Sequence, residues 1–325
     1  MKVCYIYRQK SRNAHSIENV FQTISDNIEA LGIESVSYYR NDSLLKTFRE
    51  VRKLKADIYH ITGDVYYLAM FLPPKKTIMT IHDIGRYKNR KKSLKNLLYA
   101  LLWFLIPTMR VRKITVVSEL VKNDLIKYFK VKENKISIIP NPLVQKLSYS
   151  ERKNKTLVPN VLQIGTGEHK NLIGLIEAVK GLKCNLTIIG HIEEKIDHLL
   201  KLYGIEYKNY NDITNEEVVK LYELCDIVYF ASFSEGFGLP ILEGQAIGRA
   251  VITSNISPMK EVSGEAVLLV NPYDIQQIRE ALTLLMTNEE TYNELVKLGL
   301  RNVSKYDILP ICQKYVSAYN SLKNM

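Results

Sequence analysis

The chain alternates between short unbroken apolar runs and longer segments in which apolar residues recur every three or four positions. The runs Val3–Tyr7, Asp57–Ile61, Thr77–Ile81, Lys113–Val117 and Lys135–Ile139 lack the polar alternation of a half-exposed strand, so they predict strands buried on both faces. After the first of them, Ile17, Val20, Phe21, Ile24, Ile28 and Leu31 keep helical spacing and predict a helix from about Ser16 to Leu31. Ser118 reads as the N-cap of a further helix. The alternation restarts with runs at Asn160–Ile164, Asn185–Gly190, Ile227–Phe230, Ala250–Ser254 and Ala266–Val270. Helical spacing recurs at Leu172–Leu182, Asn215–Cys225, Ile275–Thr287 and Leu309–Leu322. Two such series predict an α/β protein of two doubly wound parallel-sheet, Rossmann-like domains. The polar, basic segment Gln145–Thr156 predicts the linker, which gives a first domain over 1–144, a second over 157–308 and a closing helix over 309–325.

One stretch concentrates the chemistry. Residues 226–243 run from β-formers through a Ser- and Gly-rich turn to Pro240, which suits the first position of a helix. The turn therefore lies beyond the carboxyl end of a strand and at a helix N-terminus, where backbone N–H groups meet anions in open α/β sheets. Glu235 lies in the turn and Glu243 inside the new helix. Carboxylates beside a phosphate-type site need other partners, and sugar hydroxyls suit them: Glu243 for a ribose, Glu235 for a second sugar, with the amides of Gly236, Phe237, Gly238 and Leu239 facing phosphates between them. An acidic first turn that only complements the helix dipole is the competing reading.

The string Glu-Gly-Phe-Gly-Leu-Pro-x-x-Glu, with Gly244–Ser254 and Glu261–Val270 after it, resembles the signature of the retaining nucleotide-sugar glycosyltransferases of family 4 over roughly residues 113–305. The resemblance implies the GT-B fold, with two domains facing across a cleft, and a hexosyltransferase that uses a nucleoside-diphosphate sugar and retains anomeric configuration. It implies that Glu235 and Glu243 are the Glu-x7-Glu pair and that Lys170, in Gly165-Thr-Gly-Glu-His-Lys170, binds the donor diphosphate. Thr166 stands where many members have arginine. It also implies that His82, which ends a predicted strand, contacts the donor sugar or the reacting centre. His60 ends the strand before it and is a second candidate. The first βα loop has no glycine, which speaks against a nicotinamide cofactor; whether Arg8 or Lys10 meets the donor there stays open.

Charge separates the two halves. Residues 1–150 hold 27 Lys+Arg against 12 Asp+Glu, whereas the remainder holds 18 against 22, so the +11 of the chain lies in the first half. No acidic residue occurs between Asp83 and Glu119. Arg86, Lys88, Arg90, Lys91, Lys92 and Lys95 precede an apolar run containing Trp103 and Phe104, which predicts contact with an anionic membrane surface or a lipid-linked acceptor, the two aromatics entering the interface. No nucleic-acid-binding motif accompanies this charge, so nucleic acid is not an expected partner. The scattered Cys4, Cys184, Cys225 and Cys312 suggest neither zinc nor disulfides. No Asp-x-Asp occurs, so the expected donor is a UDP- or GDP-sugar held without metal or other cofactor. The expected place is the cytoplasmic face of a membrane, in surface polysaccharide assembly. A non-catalytic glycan- or nucleotide-sugar-binding partner and a nucleotide-sugar epimerase are the alternatives.

Overall fold

The structure, a computed structural model, describes residues 1–9, 16–88, 93–144, 147–152 and 158–323. Lys10, Arg90, Lys91, Lys92 and much of the expected linker lie outside the described residues. The chain divides into two compact units, one of Met1–Val144 with Tyr306–Met325 and the other of Gln145–Lys305.

The first unit holds strands β1 (Lys2–Tyr7), β2 (Glu34–Tyr39), β3 (Ile58–Ile61), β4 (Thr77–Ile81), β5 (Lys113–Val116) and β6 (Ile136–Ile138). They form one sheet in the order β2-β1-β3-β4-β5-β6, every pair parallel. The chain turns outward from β1 to β2 and then returns to β3 on the other side of β1. Its topological switch point is therefore β1/β3, as in the flavodoxin-like order. The helix Ile308–Lys323 packs on the helix Ser16–Ile28 of the same unit.

The second unit holds β7 (Asn160–Ile164), β8 (Asn185–Ile189), β9 (Tyr207–Tyr210), β10 (Ile227–Phe230), β11 (Ala250–Ser254) and β12 (Leu268–Val270). Their order is β12-β11-β10-β7-β8-β9, again parallel throughout. Counted from the unit's own first strand this is the dinucleotide-fold order 3-2-1-4-5-6, with its switch point at β7/β10. Ile227 and Tyr229 of β10 enter the apolar cluster on one face of the sheet, Val228 and Phe230 the cluster on the other. Burial of both faces is the reason for the unbroken apolar runs.

Two strands escape the apolar-run reading, β2 and β9, and both are edge strands. Their residues are mostly half-buried, and an edge strand needs no continuous apolar sequence. Some predicted elements are shorter than expected. The strand predicted over Ala266–Val270 forms at Leu268–Val270, and the helix predicted over Leu172–Leu182 stops at Val179.

Candidate active site

In the second unit the loops that follow β7 and β10 leave adjacent strands in opposite directions, and the structure binds them to each other. The Phe233 amide donates to the His169 carbonyl at 2.8 Å. Asn171, buried and in the left-handed region at φ 57°, donates through Nδ2 to the Ala231 and Pro272 carbonyls at 3.1 and 2.8 Å. One amide thus ties the loop after β7 to the end of β10 and to the loop after β12. Beneath them the buried Gln163 donates to the Gly165 and Lys170 carbonyls at 2.9 and 3.2 Å. Gly165, at φ +84°, lies under the Lys170 stem; a Cβ there would sit 3.1 Å from Lys170 Cε.

These constraints bring Lys170 and Glu235 together. Lys170 Nζ lies 2.7 Å from Glu235 Oε1 and 4.6 Å from the centre of the Phe230 ring. Both side chains are mostly shielded, so the pair is less screened than a surface ion pair. Gly238, at φ +113°, starts the helix Leu239–Ala246; a Cβ there would meet Ile241 at 3.0 Å, so the turn requires glycine. Phe237 is buried and anchors the turn, and Gly236 is half-buried. The Thr166 hydroxyl bonds the His191 carbonyl in the loop after β8.

Glu243 is 7% exposed, and its Oε2 accepts from the Tyr222 hydroxyl at 2.5 Å. Burial holds its carboxyl above the usual range, while the Tyr222 hydrogen bond and the Lys170 charge pull the other way. Arg249, 1% exposed, fixes the two helices that carry these residues. It donates to Glu223 and Cys225 at the end of the helix Asn215–Leu224, to Ile247 and Gly248 after the helix Leu239–Ala246, and to Ser150. A cation on the last carbonyls of two helices satisfies both ends and opposes neither dipole. Sequence reasoning missed Asn171, Tyr222 and Arg249; each acts through partners distant in the chain.

In the first unit, His82 follows β4, and its Nε2 donates to the Thr62 carbonyl at 2.9 Å. Burial lowers its pKa, so the ring is neutral and Nδ1 is an acceptor. His60 is a core histidine. It is fully buried, 2.7 Å from both the Tyr319 hydroxyl and Thr80 Oγ1, and burial pushes its pKa down to about 3. Arg8 forks onto Glu18, with Nε at 2.5 Å and Nη2 at 3.0 Å.

The basic stretch is arranged differently from the expectation. Trp103 and Phe104 turn inward: Trp103 packs on Tyr67 and Tyr99 and donates to Asp64, and Phe104 is buried against Tyr66 and Phe129. Arg86 pairs with Asp64 at 3.1 Å and Lys88 with Asp124 at 2.6 Å, while Lys95 is exposed. The outward face of the helical segment 94–110 carries Leu94 (81% exposed), Leu97 (66%), Leu98, Leu101, Leu105 and Met109. Their spacing follows one stripe, opposite the buried Tyr99 and Phe104. No helix among the described residues is long and apolar enough to cross a membrane.

Comparison with known proteins agrees with this architecture. Residues 148–300 match the family described as glycosyl transferases group 1, and residues 18–144 match Glycosyltransferase Family 4. The serotype-specific mannosyltransferase WbdA of Escherichia coli is 27% identical over 72% of the chain, which spans 32% of that protein. The O-antigen chain mannosyltransferase B of Escherichia coli is 26% identical over 84% of the chain and 76% of its own length. The structure of Anabaena HepE in complex with UDP and glucose superposes with a TM-score of 0.80 at 14% identity, over 99% of this chain and 100% of that one. The fold is GT-B, two six-stranded parallel-sheet units.

Proposed function

We propose that the protein transfers a hexosyl unit from a nucleoside-diphosphate sugar to a saccharide or lipid-linked saccharide, with retention at the anomeric carbon. The observation that carries this reading is the Lys170–Glu235 pair at the β7/β10 switch point, with Glu243 on the helix directly behind it. Glu243 Oε1 accepts from the ribose, Lys170 and the amides of Gly236–Leu239 meet the diphosphate, and Glu235 accepts from the hydroxyls of the transferred sugar. When the glycosidic bond breaks, negative charge grows on the departing diphosphate. Lys170, released from Glu235, and the helix N-terminus meet that charge. Retention is read with a donor phosphate oxygen taking the acceptor's proton, and no metal is assigned a role.

The exposed leucine stripe and the basic charge of the first half fit an anionic bilayer as the surface on which the acceptor is met. Aliphatic side chains enter the headgroup boundary, and the cations beside them are attracted to anionic lipid. The relatives' mannosyl chemistry and the UDP and glucose of HepE select the donors to try first. Thermal stabilisation by GDP-mannose, UDP-glucose and the bare nucleotides, without added metal, tests the reading. Ligand at 100 times its Kd adds about 2.7 kcal/mol. A shift with one base that falls by about half or more in Glu243→Gln supports it, and no shift with any of them rejects it.

A further inference from the structure

We propose that the first unit contains a second anion site, built to hold a phosphate or diphosphate group of the acceptor. A cavity of about 470 Å³ opens outside the carboxyl ends of β1, β2 and β3, lined by Arg8, Arg40, Asp64, Arg86 and Trp103 among others. It lies at the β1/β3 switch point, the position where an open α/β sheet takes ligands. Arg8 follows β1, Arg40 follows β2, Asp64 follows β3 and Arg86 follows β4, so four consecutive strand ends each deliver one charged side chain.

The charge balance of the lining favours an anion. Three guanidinium groups and one carboxylate line it, and with Glu18 forked onto Arg8 the lining keeps a net positive charge. Arg40 spends its Nε on the Asn41 carbonyl at 3.1 Å and has no carboxylate partner among the described residues. Arg86 is held to Asp64 only by an exposed pair, which contributes little and yields readily to a doubly charged ligand. The Arg8 fork is spent on Glu18 and adds only its charge, whereas Arg40 and Arg86 present planar guanidinium donors suited to phosphate oxygens. The Trp103 ring forms an apolar wall, and its Nε1 fixes Asp64 at 3.2 Å. The segment that gives Trp103 to the cavity gives Leu94, Leu97 and Leu101 to solvent on its opposite face, which keeps a lipid-linked phosphate close to its bilayer. Assignment of the group to the acceptor rests on the glycosyltransferase reading; the anion site itself does not.

Trp103 is the only tryptophan of the chain and lines this cavity, so its fluorescence reports on it. Titration of the full chain with inorganic pyrophosphate is expected to give a saturable fluorescence change. Arg40→Gln and Arg86→Gln should each raise Kd about tenfold, the loss of roughly one charged hydrogen bond. Thermal stabilisation by the donor nucleotide should stay unchanged in both. Absence of a saturable change, or equal Kd values in wild type and variants, overturns the site. Retained pyrophosphate binding in a protein that binds no nucleotide rejects the donor reading alone. Phosphatidylcholine vesicles with and without a few per cent of polyprenyl diphosphate identify the source. Arg40-dependent binding only to the doped vesicles assigns a lipid-linked acceptor, and pyrophosphate binding without that preference assigns a soluble phosphate ester.

Discussion

Lys170 Nζ and Glu235 Oε1 lie 2.7 Å apart although 65 residues separate them. The pair exists because β7 and β10 are neighbours at the point where the strand order reverses, so their loops meet over the same end of the sheet. Each charge compensates the other. A donor would divide them, the cation turning to phosphate and the carboxylate to hydroxyls.

Lys170→Met is therefore expected to cost both stability and donor binding. It leaves Glu235 partly buried without its cation, a loss of about 1–2 kcal/mol, between the values for surface and buried pairs. Lys170→Met with Glu235→Gln should recover most of that stability and none of the nucleotide affinity. Chemical denaturation and nucleotide titration of the three variants check this; recovery of affinity in the double variant would remove Lys170 from the diphosphate.

Glu243→Gln keeps an acceptor for the Tyr222 hydroxyl and removes a carboxylate whose charge burial disfavours. The fold should be at least as stable as wild type at pH 7. Nucleotide Kd should rise about tenfold or more, as a charged acceptor is lost to the ribose. Calorimetric titration decides, and unchanged Kd would show that Glu243 does not meet the ribose.

Arg249→Leu strips a hydrogen-bond donor from carbonyls at the ends of both helices that carry Tyr222 and Glu243. The expected loss is about 3 kcal/mol or more, from several buried acceptors left unpaired. Nucleotide affinity should fall as well, measured at a temperature where the variant is folded. Loss of stability alone would uncouple this arginine from the site.

His60 makes acid stability testable. Its folded pKa, about 3, lies below the ordinary value of 6.5, so the unfolded chain takes up a proton that the folded chain refuses. Stability from this group is intact above pH 6.5 and falls by about 1.4 kcal/mol per pH unit from there toward pH 3. His82, lowered in the same direction, adds to the slope. Urea unfolding of wild type and His60→Gln at pH 7 and pH 5 should show a smaller pH loss in the variant; equal losses would mean that His60 is not held neutral.

Leu97→Glu with Leu101→Glu places two charges on the exposed stripe and should not unfold the unit, because both side chains already face solvent. Co-sedimentation with anionic vesicles is expected to fall at least tenfold while transfer to a water-soluble acceptor is retained. Trp103→Leu should leave vesicle binding unchanged, since that ring packs inward. The reverse pattern would restore Trp103 as the membrane contact.

The sequence by itself determined the elements whose burial is symmetrical and the turn whose chemistry is local. Strands such as β4 and β10 are buried on both faces and so are written as unbroken apolar runs. The Glu235–Glu243 turn was legible because strand, glycine turn and Pro240 lie within one short segment. The edge strands β2 and β9 were not legible, since half-buried pairing leaves no apolar run to read. Nor could the sequence orient the segment 94–110, whose apolar residues surround it. Periodicity gives spacing without phase, and only packing on Tyr67, Tyr66 and Phe129 turned the aromatics inward and the leucines outward. Asn171 joining three loops, Tyr222 on Glu243 and the arginine-lined cavity likewise needed the tertiary structure. Their partners come from separate strand ends, and strand order in a parallel sheet is fixed by long-range packing that no local stretch encodes.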